Sequence, residues 1–338
     1  MNSTQPLLRR ILPEDGESLT SYKLRIAKAN HYEAASILDR VMKLQVDEFD
    51  AEPNRITPRS LNDYRILSQL AQLPEQEIYA MTPHSFSPLL TLPSAVLETF
   101  IVADGYRVSL LDQYSLRTHF VSRQEAKYCP ACLKLTPTYH RISWDFKLVV
   151  TCLHHKCLLL DRCHVCKCSL SVADVVSNEC ANCSAVLSEA PVVAIDNDSF
   201  SGSLHDEIFR WLRYKGNCDV SNQLPPVNTS VLFFLITDLV DLLKTYQLEE
   251  FENQRIRNLS DNTLKGIYRA IEVYYVRVVT VLKIFTDWPR NFYLFLDAFR
   301  RTNEYTSADG PSKDLGALFY KFERRWNGKH FSFMEEAY

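Results

Sequence analysis

Nine of the ten cysteines of this 338-residue chain fall between Cys129 and Cys183, and seven of them with one histidine form four ligand-type pairs. Cys129 and Cys132 enclose a two-residue spacer; Cys152 and His155 repeat that spacing after nineteen intervening residues. Cys163 and Cys166 make a third pair, and Cys180 and Cys183 a fourth after thirteen more residues. A two-residue spacer lets one tight turn aim both side chains at one ion, and zinc takes four N or S ligands in a tetrahedron. The first two pairs therefore read as a zinc-ribbon site of three thiolates and one imidazole, the last two as an all-thiolate site. Two zinc ions per chain are predicted. Buried free cysteines would explain neither the pairing nor the composition elsewhere, where Cys218 is the one remaining cysteine. Two alternatives stay open: His154 in place of His155, and Cys168 in place of Cys163 or Cys166. Cys157, in the apolar run 157–160, reads as a small core residue. His140 and His164 read as surface or hydrogen-bonded histidines.

Catalysis is not predicted, and no catalytic residue is assigned. A catalytic zinc keeps an open position beside an acid or base, whereas both sets here fill all four positions with protein. There is no H-E-x-x-H or G-x-S-x-G. His31-Tyr32-Glu33 formally supplies the H-x-E of a zinc deaminase, but it lies far from Cys129, and Tyr128 stands where that pattern needs proline. Glycine is scarce, 8 of 338 residues, and neither G-x-G-x-x-G nor G-x-x-x-x-G-K-[ST] occurs. A dinucleotide-binding fold and a P-loop ATPase are thereby excluded.

Charge argues against unaided DNA binding. The chain carries 38 basic and 41 acidic side chains, formally -3. Residues 128–187 hold six Lys/Arg and four Asp/Glu, and two zinc ions with seven thiolates would bring that +2 to about -1. Such a surface suits a protein-facing platform better than a phosphate grip.

The cysteine segment must be positioned by its flanks, and these are helix-patterned. Three regions are expected: an N-terminal helical region 1–127, tandem zinc modules 128–187 and a C-terminal helical domain 188–338, mainly α in all. Leu19, Tyr22 and Ile26 form one stripe of a helix over 17–30, and a second helix is expected over 32–44. Residues 59–73 and 75–81, separated by Pro74, have the outline of a helix-turn-helix, although two plainly packed helices explain the pattern as well. Alternating Ile142, Trp144, Phe146, Leu148 and Val150 predict a half-buried strand leading into Cys152. Helices are expected over 203–214, with Gly216 as a stop, and over 230–246, 262–285 and 290–301. Lys321, Arg324, Arg325, Lys329 and His330 form a modest basic stripe. The start of the chain lacks the apolar run of a secretory signal, and charges interrupt 231–243 and 273–285, so no membrane span and a cytoplasmic location are expected.

The residues resemble the TniQ/TnsD family of transposition target-selection proteins. The likeness is most specific in Tyr128-Cys129-Pro130-Ala131-Cys132-Leu133, Trp144, Cys152-x-x-His155-x-x-x-Leu159, Leu160-Asp161-Arg162-Cys163-x-x-Cys166 and Cys180-x-x-Cys183. It extends to Glu17-Ser18-Leu19-x-Ser21-x-x-x-Arg25-x-Ala27-x-x-Asn30 and to the tract from Phe285 to Phe292. Family members usually place Gly after the third pair, where Lys167-Cys168 stands here. Longer members that read an attachment site directly carry further DNA-binding sequence beyond the equivalent of Tyr338. The resemblance implies a short, dimeric adaptor. Such a protein links a CRISPR Cascade effector with its guide RNA to an AAA+ ATPase that licenses the transposase, and meets target DNA through that complex. The alternative is a sequence-specific DNA-binding selector that reads an attachment site itself.

Overall fold

A computed structural model describes residues 6–32, 61–91, 99–101, 107–109, 111, 120–121, 125–195, 200–220, 224, 228–245, 269–287, 290–292 and 294–295. The fold is mainly helical, with the cysteine segment in its middle. Helix α1 spans Leu19–Ala29 and is capped by Ser18, whose hydroxyl accepts from the Ser21 amide. It buries the predicted stripe of Leu19, Tyr22 and Ile26 against Tyr64, Leu67 and Leu70 of α2 (Leu61–Ala71) and Ile78 and Tyr79 of α3 (Glu75–Ala80). Pro74 separates α2 from α3, because its ring supplies no amide to a continuing helix. A 3₁₀ turn (Pro83–Phe86) leads into α4 (Ser87–Leu90), and strands β1 (Thr99–Ile101) and β2 (Arg107–Ser109) pair antiparallel.

Across the cysteine segment the elements are short: α5 (Pro130–Leu133), the two-residue strands β3 (Thr151–Cys152) and β4 (Cys157–Leu158), and α6 (Val172–Ser177). Helices α7 (Phe200–Arg213), α8 (Thr229–Thr245) and α9 (Arg269–Phe285) follow. A second apolar core runs from Phe86 and Leu89 through Tyr128, Trp144, Phe146 and Leu160 to Trp211, Phe233, Ile236 and Phe285. The cysteine segment therefore shares one core with the C-terminal helices. None of the described helices is long and apolar enough to cross a membrane.

The predicted strand over 142–150 does not form. Ile142–Asp145 is a 3₁₀ turn, Val149 donates to the Phe146 carbonyl, Phe146 makes an isolated bridge to Val121, and a paired strand begins only at Thr151. The alternation was nevertheless a true record of burial, since Ile142, Trp144, Phe146 and Leu148 all face the core. The reason is Lys127. Its buried ammonium donates to the Phe146 and Val149 carbonyls, both at 2.6 Å, satisfying with a side chain what a neighbouring strand would otherwise supply. Burial pushes the Lys127 ammonium down to about 7.

Helix α9 is described from Arg269, so the start expected at 262 lies outside the described residues, as do 33–44, most of 290–301 and the basic stripe near the end. Gly216 does close α7: it adopts φ +80° and its amide reaches the Trp211 carbonyl at 2.8 Å. A Cβ there would stand 3.0 Å from the backbone of Leu89, on α4, which packs against α8. Gly216→Ala is expected to destabilise by more than about 1 kcal/mol through strain plus this collision. Urea unfolding checks it, and an unchanged midpoint would refute the close packing.

Candidate metal centres

The eight predicted ligands gather into two groups of four. Within each, the Cys129, Cys132, Cys152 and His155 set and the Cys163, Cys166, Cys180 and Cys183 set, the ligand atoms lie within 4.8 Å of one another. In the first, His155 Nδ1 is 3.6 Å from Cys129 Sγ, 3.2 Å from Cys132 Sγ and 3.6 Å from Cys152 Sγ. His154 is exposed and stands outside the group, so the choice between neighbouring histidines falls to His155. In the second, Cys163 and Cys183 are 3.6 Å apart and Cys166 and Cys180 3.7 Å. A tetrahedron with zinc–sulfur bonds of about 2.3 Å has edges of about 3.8 Å. The sulfur spacings match that figure.

Local structure explains the convergence. Pro130 starts α5 directly after Cys129, and one helical turn brings Cys132 to the same side. Cys152 ends β3 and β4 begins at Cys157, so the turn between them presents His155. Tyr128 and Leu160 exchange both backbone hydrogen bonds at 2.8 Å, which ties the first pair to the second. In the second group, Ser171 and Asp174 form a capping box at the start of α6, and the other carboxylate oxygen of Asp174 accepts from the Ala181 amide at 2.6 Å. Asp174 thus sets the fourth pair against the helix. Its signal, Ser-x-x-Asp before an apolar turn, is legible in the sequence as a helix start, while its contact with the fourth pair is not.

The chemistry of the donor set calls for a cation. In the first group the Cys152 thiol is held far below its usual range by hydrogen bonds from Cys129, Cys132 and Cys157, while the Cys132 thiol is pushed far up by its hydrogen bond with Cys129 and then by Cys152. Thiols this close oppose one another's ionisation. A divalent ion removes that conflict, because coordination deprotonates thiols outright. Either group has the donors and spacing for a metal ion.

The family-like N-terminal residues meet the cysteine segment directly. Ser18 N–H donates to the His140 carbonyl at 2.8 Å, His140 N–H donates to Ser21 Oγ at 3.0 Å, and His140 Nδ1 lies 3.0 Å from Ser18 Oγ. The Glu17 carboxylate accepts from Ser21 Oγ at 2.7 Å and from Glu14 N–H at 2.9 Å, and it pairs with Arg25. His140 is thus a buried, hydrogen-bonded residue and not a ligand. Burial, and secondarily Lys127, pushes its imidazole down to about 3. The native state therefore binds fewer protons than the unfolded state between that value and the usual histidine range. Stability is unpenalised above about pH 6.5 and falls as pH drops toward about 3. Between pH 6.5 and 5 the natural chain is expected to lose about 2 kcal/mol more than His140→Gln, read from urea midpoints; parallel losses would refute the burial of a neutral ring.

No curated protein matches this chain. The family model TniQ matches residues 8–159, a span that holds α1 through β4, the Glu17–Arg25 and His140 contacts and the whole first ligand group. The likeness of this chain to the TniQ family therefore covers residues 8–159, a little under half of its length.

Proposed function

We propose that both ligand groups hold zinc and that this chain is a non-enzymatic targeting adaptor in DNA transposition. It bridges a guide-RNA-loaded CRISPR Cascade effector at the target site to an AAA+ ATPase, acting as a homodimer. The observation that carries this reading is the TniQ match. Its span runs from α1 through the first ligand group, so the contacts between α1 and His140 and the first set of ligand candidates fall within one matched region. A target-selection role in transposition comes with that family. Each closed set of four protein ligands would hold its ion without an open position, so the ion's contribution is architectural.

Helix α3 weighs against direct reading of DNA. As a recognition helix it has only six residues, and Glu75 and Glu77 stand in its first turn, with Glu77 exposed where a phosphate would approach. The guide, by base pairing, then supplies sequence specificity.

Co-purification tests the proposal. The full chain is expected to co-elute with guide-loaded Cascade and, separately, with the AAA+ ATPase, while gel shifts on duplex DNA alone remain weak and unselective. Sub-micromolar, sequence-selective and steeply salt-dependent binding of free duplex, with no Cascade association, would overturn it in favour of an attachment-site reader.

A further inference from the structure

The cysteine segment contains one six-residue turn three times: 152–157, 163–168 and 180–185. In each the first and fourth residues are ligand candidates, and the fifth is left-handed: Lys156 at φ 48°, Lys167 at φ 62° and Ser184 at φ 56°. In each the amide of the fifth donates to the carbonyl of the first, at 2.9, 3.1 and 2.8 Å. The sixth residue returns beside the first: Cys157 pairs with Cys152, while Cys168 and Ala185 accept through their carbonyls from Cys163 and Cys180, both at 3.0 Å. The turn thus carries the sixth side chain back toward the ligands. At Ala185 that side chain is a methyl. At Cys157 and Cys168 it is a fifth thiol.

The two extra thiols differ in setting. Cys157 is fully buried in the strand pair, 3.5 Å from Cys129 Sγ. Cys168 is half-buried, and its sulfur lies 3.3 Å from Cys166 Sγ and 3.4 Å from Cys180 Sγ, at least as close as the ligands lie to one another. Among the four ligands of its group, Cys183 is the exposed one. The second site therefore has one weakly held ligand and one uncommitted sulfur against two of the others.

We infer that Cys168 is a reserve ligand of the second site, taking the fourth position on the ion when Cys183 withdraws. The exchange keeps four thiolates: Cys168 gives up its proton to solvent as it coordinates, and the released Cys183 takes one up, so the charge of the site is unchanged. The fourth pair, 180–183, can then alter its exposed end without loss of the ion. This inference rests on the zinc reading above.

The test uses the full chain, Cys168→Ser, Cys183→Ser and the double variant. Zinc per chain, chelator-driven release and the sulfur-to-metal absorption of the cobalt-substituted protein are measured. The natural chain and both single variants are expected to hold two zinc ions. Cobalt-loaded Cys183→Ser is expected to keep the natural chain's full charge-transfer intensity, and the double variant to release its second zinc about tenfold faster or more. Loss of one thiolate's share of that intensity in Cys183→Ser, or release as fast as in the double variant, would overturn the inference while leaving zinc in place. The cobalt reading on Cys183→Ser decides the matter even if the double variant does not fold. Absence of zinc from the natural chain would instead sink the underlying zinc reading, and this inference with it.

Discussion

Removal of the metal is expected to unfold the cysteine segment while much of the N-terminal helical core survives. The elements between 128 and 190 are single turns and two-residue strands, none of which is stable by itself. On the zinc reading, closing two four-ligand groups supplies much of their order, since structural zinc in such settings contributes on the order of 10 kcal/mol or more. The N-terminal core of α1, α2 and α3 contains none of the ligands and meets the cysteine segment through α1, at His140 and α6, so the effect on it should be confined to that face. The core of the C-terminal helices is continuous with Tyr128, Trp144 and Leu160, so loosening should reach the face that α8 presents to that segment. Elemental analysis should give about two zinc ions per chain. Cys129→Ser and Cys163→Ser should each cost about one ion and open the segment to protease. A chain purified without metal that still resists proteolysis between 128 and 190 would show that the thiols are merely packed.

Arg25→Ala is expected to cost about 3–5 kcal/mol, the largest effect of any single substitution away from the ligands. Its guanidinium pairs with Glu17, whose side chain is fully buried, and with Glu14 at 3.2 Å. Burial pushes the Glu17 carboxyl up even though Glu14 N–H, Ser21 and Arg25 all pull it down. Desolvation therefore exceeds what the partners return, and removing the cation leaves a buried charge with less to hold it. The double variant Glu17→Gln with Arg25→Ala should recover much of the loss, since the charge goes with its partner. Urea unfolding of the single and double variants measures both. A single variant within about 0.5 kcal/mol of the natural chain would place the pair among surface ion pairs of little consequence.

Both expectations concern residues that stand out in the sequence for different reasons. The ligand candidates were legible because coordination imposes a spacing: a two-residue turn is what would let Cys129 and Cys132, or Cys180 and Cys183, face one ion. The helices of α1, α2, α7 and α8 were legible because burial on one side of a 3.6-residue period leaves an apolar stripe. Burial across 142–150 was legible too, but its backbone was misread. Alternating exposure is shared by a strand and by a chain of tight turns, and only the distant Lys127 ammonium, held between two carbonyls, decides between them.

By itself, then, the sequence determined which side chains could bind metal and, among the described residues, where the longer helices lie. These are local properties, dictated by spacing, periodicity and charge. The tertiary structure alone decided that His155 and not His154 closes the first group, that Cys168 stands as a fifth sulfur against the second, and that Glu17, Ser18 and Ser21 seat α1 on His140. The last of these depends on groups more than a hundred residues apart meeting in a dry interior, and the first two on which way a tight turn aims its side chains; neither leaves a repeat along the chain.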